Sequence, residues 1–233
     1  MANNVADLLA ETAAIVAKTP DLIEWRVDFF SDIADTDQVV SAAKAIKSAI
    51  GDIPLLFTRR AEHEGGAKIP LSEDQVVQLY TAVCSSNSID LIDYELSNST
   101  DNMHYLKALT QQHQVGLVVS YHNFDLTPSK EAIVAKLLDA EAAGADIAKV
   151  AVMPNKLEDV LTLLSATLTA NQQMQIPVIT MSMGAYGSLS RMFGGAFGSA
   201  VTFAVGQTSS APGQMAVEEV NSVLDIVAKH LYK

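Results

Sequence analysis

Short apolar runs alternate with longer amphipathic stretches from one end of this chain to the other. The runs cover residues 22–28 (LIEWRVD), 54–60 (PLLFTRR), 91–96 (LIDYEL), 115–122 (VGLVVSYH), 146–152 (DIAKVAV), 177–183 (PVITMSM) and 200–205 (AVTFAV). Runs that are apolar nearly throughout suit strands of a parallel sheet covered on both faces. Helical patterns are expected near residues 5–18, 37–50, 72–85, 102–112, 130–144, 156–171, 188–197 and 217–231. The clearest helix start is Thr127-Pro128, with threonine as N-cap, proline at the first helical position, and Gly144 as the stop. This β/α rhythm assigns the chain to the α/β class. Seven strands and eight helices, beginning with a helix, leave two architectures: an open doubly wound sheet, or a (β/α)8 TIM barrel whose first strand is missing or replaced. No glycine-rich phosphate loop follows any strand, and polar residues collect at the C-terminal ends of many strands. That favours the barrel, as one domain over residues 1–233.

Composition narrows the function classes. The chain has 233 residues, 49% of them hydrophobic, which is enough for a large single core. Lys+Arg number 15 against 27 Asp+Glu, a net charge of −12 that repels a phosphate backbone, so no nucleic-acid partner is expected. The single cysteine, Cys84, rules out an internal disulfide and a cysteine-based zinc cluster, and its apolar helical setting reads as packing. No apolar run approaches the ~18 residues of a membrane span. The start MANNVADLLAE carries acids and no early basic residue, unlike a secretory signal. A soluble, cytoplasmic protein is expected.

The informative positions are polar residues placed in or just after apolar strands. Lys149 lies inside DIAKVAV, where burying an ammonium is costly unless it is paired. Desolvation favours the neutral amine, and a neutral amine attacks a ketone or aldehyde to form a Schiff base. The bland alternative, a lysine that snorkels out or pairs with a carboxylate, carries about equal weight on this residue alone. His122 ends VGLVVSYH, facing the mouth of a barrel, where it can shuttle protons near neutral pH. A lone histidine is more often a satisfied buried one. His63, His104, His113 and His230 fall in a loop or on helix surfaces and receive no role, and no histidine pair has metal-ligand spacing, so no metal is expected. There are only four arginines, Arg26, Arg59, Arg60 and Arg191, and none decorates a helix surface as the lysines do. Arginine forks suit a carboxylate, which suggests an anionic substrate, although Glu24, Asp28 and Glu95 are also available as partners. Glu64 precedes a glycine pair that would let the backbone fold back over a site, although an ordinary loop carboxylate is the favoured reading of this residue alone. The segment GQTSSAPGQM after the last run places Ser209, Ser210 and Gln214 on a loop able to donate hydrogen bonds to a ligand.

Eight motifs, in order from about Leu22 onward, together resemble the type I 3-dehydroquinate dehydratases. They are EWRVDFF, PLLFTRRAEHEGG, LIDYEL, SYHNFDLTP, GADIAKVAVMP, PVITMSMGAYGSLSR, FGSAVTFAVG and SSAPGQM. The resemblance implies a (β/α)8 barrel, often a homodimer, that dehydrates 3-dehydroquinate in the shikimate pathway through a lysine imine, with no metal or organic cofactor. It implies that Lys149 attacks the C3 ketone. His122 then serves imine formation and hydrolysis, takes the C2 proton and protonates the departing C1 hydroxyl, while Glu64 holds and polarises His122. Arg191 is expected to bind the substrate carboxylate. Glu24, Arg26 and Arg60 are expected to contact the ring hydroxyls, Ser210 and Gln214 to belong to a closing lid, and Met183 to pack on the ligand. The spacing to Glu64 favours Arg60 over Arg59 as the inward-pointing guanidinium. Compared with the family, about twenty residues including an opening strand are absent from the start. Two other functions share these features. A class I aldolase uses the same lysine chemistry without SYH and SSAPGQ together, and an inactive barrel binds a quinate-like ligand only.

Overall fold

The computed structural model of the chain describes residues 2–206 and 213–231. They fall into two compact units, Met1–Val118 and Val119–Lys233. The first unit runs α1 (Val5–Val16), β1 (Ile23–Arg26), α2 (Thr36–Ile50), β2 (Leu55–Thr58), α3 (Glu73–Ser85), β3 (Leu91–Glu95), α4 (Thr100–His113) and the start of β4 (Gly116–Asn123). The second holds the rest of β4, then α5 (Lys130–Ala142), β5 (Ile147–Val152), α6 (Leu157–Gln173), β6 (Val178–Ser182), α7 (Gly184–Phe193) and α8 (Val217–Leu231). The sheet has six strands in sequence order. The β1–β2, β2–β3 and β5–β6 pairs are parallel, as strands joined through helices must be.

Helix starts follow local chemistry. Asp35 accepts from the Asp37 and Gln38 amides at 3.1 Å, and Ser72 forms a capping box with Gln75. In α2 the buried residues Val39, Ala42, Ala43, Ile46 and Ile50 make one apolar stripe. Cys84 is buried in α3, where desolvation pushes its thiol up to about 12.

In the first unit, strand alternation sorts apolar from polar. Trp25 pairs in register with Phe57, and Phe57 with Ile92. That face packs against α3 through an edge-to-face series, Trp25–Phe57 at 5.4 Å, Phe57–Tyr80 at 5.7 Å and Tyr80–Tyr94 at 5.8 Å. The opposite face carries the row Arg26–Thr58–Asp93. The second unit repeats the scheme. Thr180 of β6 meets Thr167 of α6 through their hydroxyls at 2.6 Å. Lys149, Ala151, Ile179 and Met181 share the other face.

Three sequence expectations change. The seventh run, residues 200–205, is not a strand: it has only isolated bridges at Ser199 and Val205. The Ser199 hydroxyl intervenes, accepting the Thr180 amide at 3.0 Å and donating to the Val201 carbonyl at 3.1 Å. That amide is therefore not available to the run. The cap of α5 is Ser129 rather than Thr127, whose hydroxyl donates instead to the Met153 carbonyl at 2.9 Å. The helix expected at 188–197 begins four residues earlier, at Gly184, and its last part tightens to a 3-10 turn over Gly194–Phe197. As the sequence pattern predicts, the first described element is a helix, α1, and Asn3 O, just before it, accepts the Ser31 amide at 2.9 Å, just beyond β1.

Gly187 fixes how α7 leaves β6, because a Cβ there would lie 2.1 Å from the Ser182 carbonyl oxygen. Gly187→Ala is expected to cost about 1–3 kcal/mol and lower the unfolding temperature by several degrees. Gly195→Ala, where a Cβ meets nothing within 4 Å, is expected to leave that temperature within a degree or two, as differential scanning calorimetry can check.

Candidate active site

The first unit gathers charge at the ends of β1, β2 and β3. Arg60, buried, donates from Nη1 to Glu95 Oε1 at 3.0 Å and from Nη2 to Asp93 Oδ1 at 2.6 Å. Burial pulls this guanidinium down, but the Asp93 and Glu95 charges outweigh it, and its pKa is raised. Glu95 also accepts the Ala61 amide at 2.7 Å and the Asn98 amide group at 3.0 Å. Arg26 grips Asp28 with both forks, at 2.7 and 2.8 Å, and its guanidinium lies 4.9 Å from the Phe29 ring centroid. Asp28 in turn accepts the Ala67 amide at 2.9 Å. Glu24 accepts from the Thr58 hydroxyl at 2.9 Å. Arg59 is buried as well, but it turns to Glu73 at the start of α3.

Glu64 sits in a 3-10 turn, Glu62–Glu64, closed by Gly65 at φ 84°. Gly66 then lies so close to the Arg60 carbonyl that a Cβ would fall 1.8 Å from its oxygen, so only glycine fits. The Glu64 carboxyl is buried and accepts from the Ser97 hydroxyl at 2.7 Å. Desolvation pushes its pKa up, with the nearby Glu95 and Asp93 charges adding to the rise, while Ser97 and Arg60 oppose it.

The second unit holds the amine and a second guanidinium. Lys149 is 5% exposed in β5, and its Nζ lies 4.7 Å from the Phe203 ring centroid. Arg191 of α7 is 1% exposed and donates from Nη1 to the Phe203 carbonyl at 3.0 Å. Burial lowers its pKa to about 10. The Lys149 and Arg191 side chains thus converge on one residue. Met181 and Met183 are buried beside them in an apolar cluster with Ala151 and Ile179, against which Met153, Val201 and Phe203 pack. His122, next to last in β4, is half-buried and stacks on Phe124 with ring centroids 6.5 Å apart. Gln214 is half-buried, and Ser209 and Ser210 lie outside the described residues.

Of the residues singled out in the sequence, Lys149 and Arg191 both reach Phe203, which packs against the cluster holding Met183, and Arg26, Arg60, Glu24 and Glu64 line the charged end of the first unit. Asp93, Ser97 and Phe203 were not anticipated. Asp93 did leave a signal: LIDYEL places two acids two residues apart, on one face of an apolar strand. Phe203 left none. Among the described residues no group of three His, Cys, Asp or Glu could hold a metal ion, and no helix is long and apolar enough to cross a membrane.

Residues 1–230 match the family model described as type I 3-dehydroquinase. A 3-dehydroquinate dehydratase of Albidiferax ferrireducens is 58% identical over 223 residues, covering 96% of this chain and 84% of the relative. The crystal structure of 3-dehydroquinate dehydratase from Geobacillus kaustophilus HTA426 matches with a TM-score of 0.97 at 48% identity, over 98% of this chain and 89% of that one. The crystal structure of the type I 3-dehydroquinate dehydratase from Clostridium difficile with covalent modified comenic acid matches with a TM-score of 0.94 at 39% identity, over 98% and 90%.

The buried Arg60 and Arg191 guanidiniums differ in what their removal leaves behind. Arg60→Met strands Asp93 and Glu95 in the interior and is expected to cost about 3–5 kcal/mol. Arg191→Met removes a cation whose burial is itself unfavourable, and is expected to cost less than about 1 kcal/mol. Urea unfolding of the two variants beside the parent chain checks this ordering.

Proposed function

The chain belongs to the type I 3-dehydroquinase family, and we propose that it carries out the family's dehydration of 3-dehydroquinate to 3-dehydroshikimate, a shikimate-pathway step, through a Schiff base on Lys149. The observation that carries this assignment is the convergence of Lys149 and Arg191 on Phe203 in an apolar setting. An amine held there is dehydrated and positioned for a carbonyl, and a desolvated guanidinium gains from receiving a carboxylate.

Lys149 Nζ adds to the C3 carbonyl, and loss of one water gives the iminium. The iminium draws electron density from C2, so a base of modest strength removes the C2 proton. His122 takes that proton, leaving an enamine. The enamine expels the C1 hydroxyl as His122 delivers a proton to it, which releases water and restores an iminium, now conjugated. A further water hydrolyses this iminium, freeing the enone and the Lys149 amine. The water lost in imine formation is returned at hydrolysis, so the net change is one water removed. Glu64 sets the orientation and charge of His122 in this scheme. Arg191 holds the substrate carboxylate, and Glu24, Arg26 and Arg60 contact the ring hydroxyls. Met183 packs on the ligand, and Ser210 and Gln214 close over it. The closed (β/α)8 barrel, the single domain over residues 1–233, a homodimer and a cytoplasmic setting form part of the same proposal, on the family resemblance. The crystal structure of the Clostridium difficile relative, with its covalent modified comenic acid, fits a site of this reactivity.

Borohydride added during turnover is expected to fix a substrate-sized adduct on Lys149, located by peptide mass spectrometry. Equal trapping in Lys149→Ala would refute the assignment. His122→Ala is expected to keep trapping while turnover, followed by the enone absorbance, falls about 10²–10⁴-fold; full turnover in that variant would remove His122 from the scheme.

A further inference from the structure

Ser97, in the turn directly after β3, has the nearest described contact with the buried Glu64 carboxyl. Its Oγ donates to Glu64 Oε1 at 2.7 Å, whereas Arg60 Nη1 stands 4.0 Å from Oε2, beyond hydrogen-bond reach. Both ends of the Ser97–Glu64 contact are anchored. The Glu64 amide donates to Ala61 O at 3.0 Å and Gly66 is pressed onto Arg60 O, so the turn carrying the carboxyl has no slack. On the other side, the Asn98 amide donates to Glu95 O at 3.2 Å and the Asn98 side chain to Glu95 Oε2 at 3.0 Å, which pins the turn carrying the hydroxyl to the end of β3. The hydroxyl proton is committed to Glu64, so the contact with His63 Nε2 at 3.3 Å uses the Ser97 lone pair and the tautomer protonated at Nε2.

We propose that Ser97 is a positioning residue that holds Glu64 as an oriented, ionised carboxylate. Among the described contacts, the charged groups acting on Glu64 are Arg60 just after β2 and Asp93 and Glu95 of β3, His63 touches Ser97, and the proposed scheme adds His122 as the group Glu64 serves. The two acids and burial favour a protonated Glu64, and Ser97 and Arg60 oppose them. Ser97 itself is exposed and has no part in the core, so losing its hydroxyl leaves the fold intact. The inference goes past the family scheme but rests on the reading that Glu64 acts in turnover.

Two measurements separate the inference from that reading. The first is the carboxyl titration of Glu64, followed by ¹³C NMR of glutamate-labelled protein, with Glu64→Gln identifying the resonance. Ser97→Ala is expected to raise this titration by about one pH unit, and Ser97→Thr to restore it. The second is the pH dependence of turnover. Its acid limb is expected to move upward by the same amount in Ser97→Ala, with little change in KM and with the turnover lost at low pH returning as pH rises. An unmoved Glu64 titration in Ser97→Ala overturns the inference. A titration that moves while the acid limb stays in place upholds Ser97 and overturns the role of Glu64 in turnover.

Discussion

The cost of taking charge out of water governs both units. In the first, the buried arginines are met by acids: Arg60 is shared between Asp93 and Glu95, and Arg26 is locked onto Asp28. Such clusters add little net stability, because Coulomb attraction roughly offsets desolvation, but they fix geometry tightly. In the second unit the buried Arg191 sits where desolvation lowers its affinity for a proton. One unit is therefore a settled electrostatic frame. The other holds a guanidinium that burial destabilises, the property on which its proposed part in binding a carboxylate rests.

The β/α rhythm was legible because strands covered on both faces must be apolar nearly throughout, and because the helices between them need a stripe. Lys149 stood out for the same reason, a cation where periodicity demands hydrocarbon, whereas Arg191 stood out because arginines are few in this chain and suit a carboxylate. What could not be read is whatever depends on two distant segments meeting. Arg60 and Asp93 are 33 residues apart, and only the β2–β3 register brings them together. Ser97 looks like any turn serine until the Glu62–Glu64 turn is placed beside it. The seventh run misled because its composition is that of a strand, whereas the Ser199 hydroxyl takes up the Thr180 amide and the Val201 carbonyl. Thr127 misled in the same way, since its hydroxyl had a better acceptor outside the helix.

The two faces of the strands divide labour. Aromatic edge-to-face contacts between Phe57, Tyr80 and Tyr94 anchor α3 to the sheet on one side, and the charged row occupies the other. Tyr80 connects the two, donating to the Asp93 carbonyl at 2.6 Å and accepting the Arg59 amide at 3.3 Å. The ring packing that stabilises the helix thus also holds the backbone on which the charged groups sit.

The contact of Gly66 with the Arg60 carbonyl bears on how this loop can evolve or be redesigned. With no room for even one methyl group, any chain with a side chain at 66 must move the segment away from the Arg60 carbonyl. Shortening or lengthening the loop on either side would move that crossing, so both the length and the identity of this stretch are constrained by a single van der Waals limit.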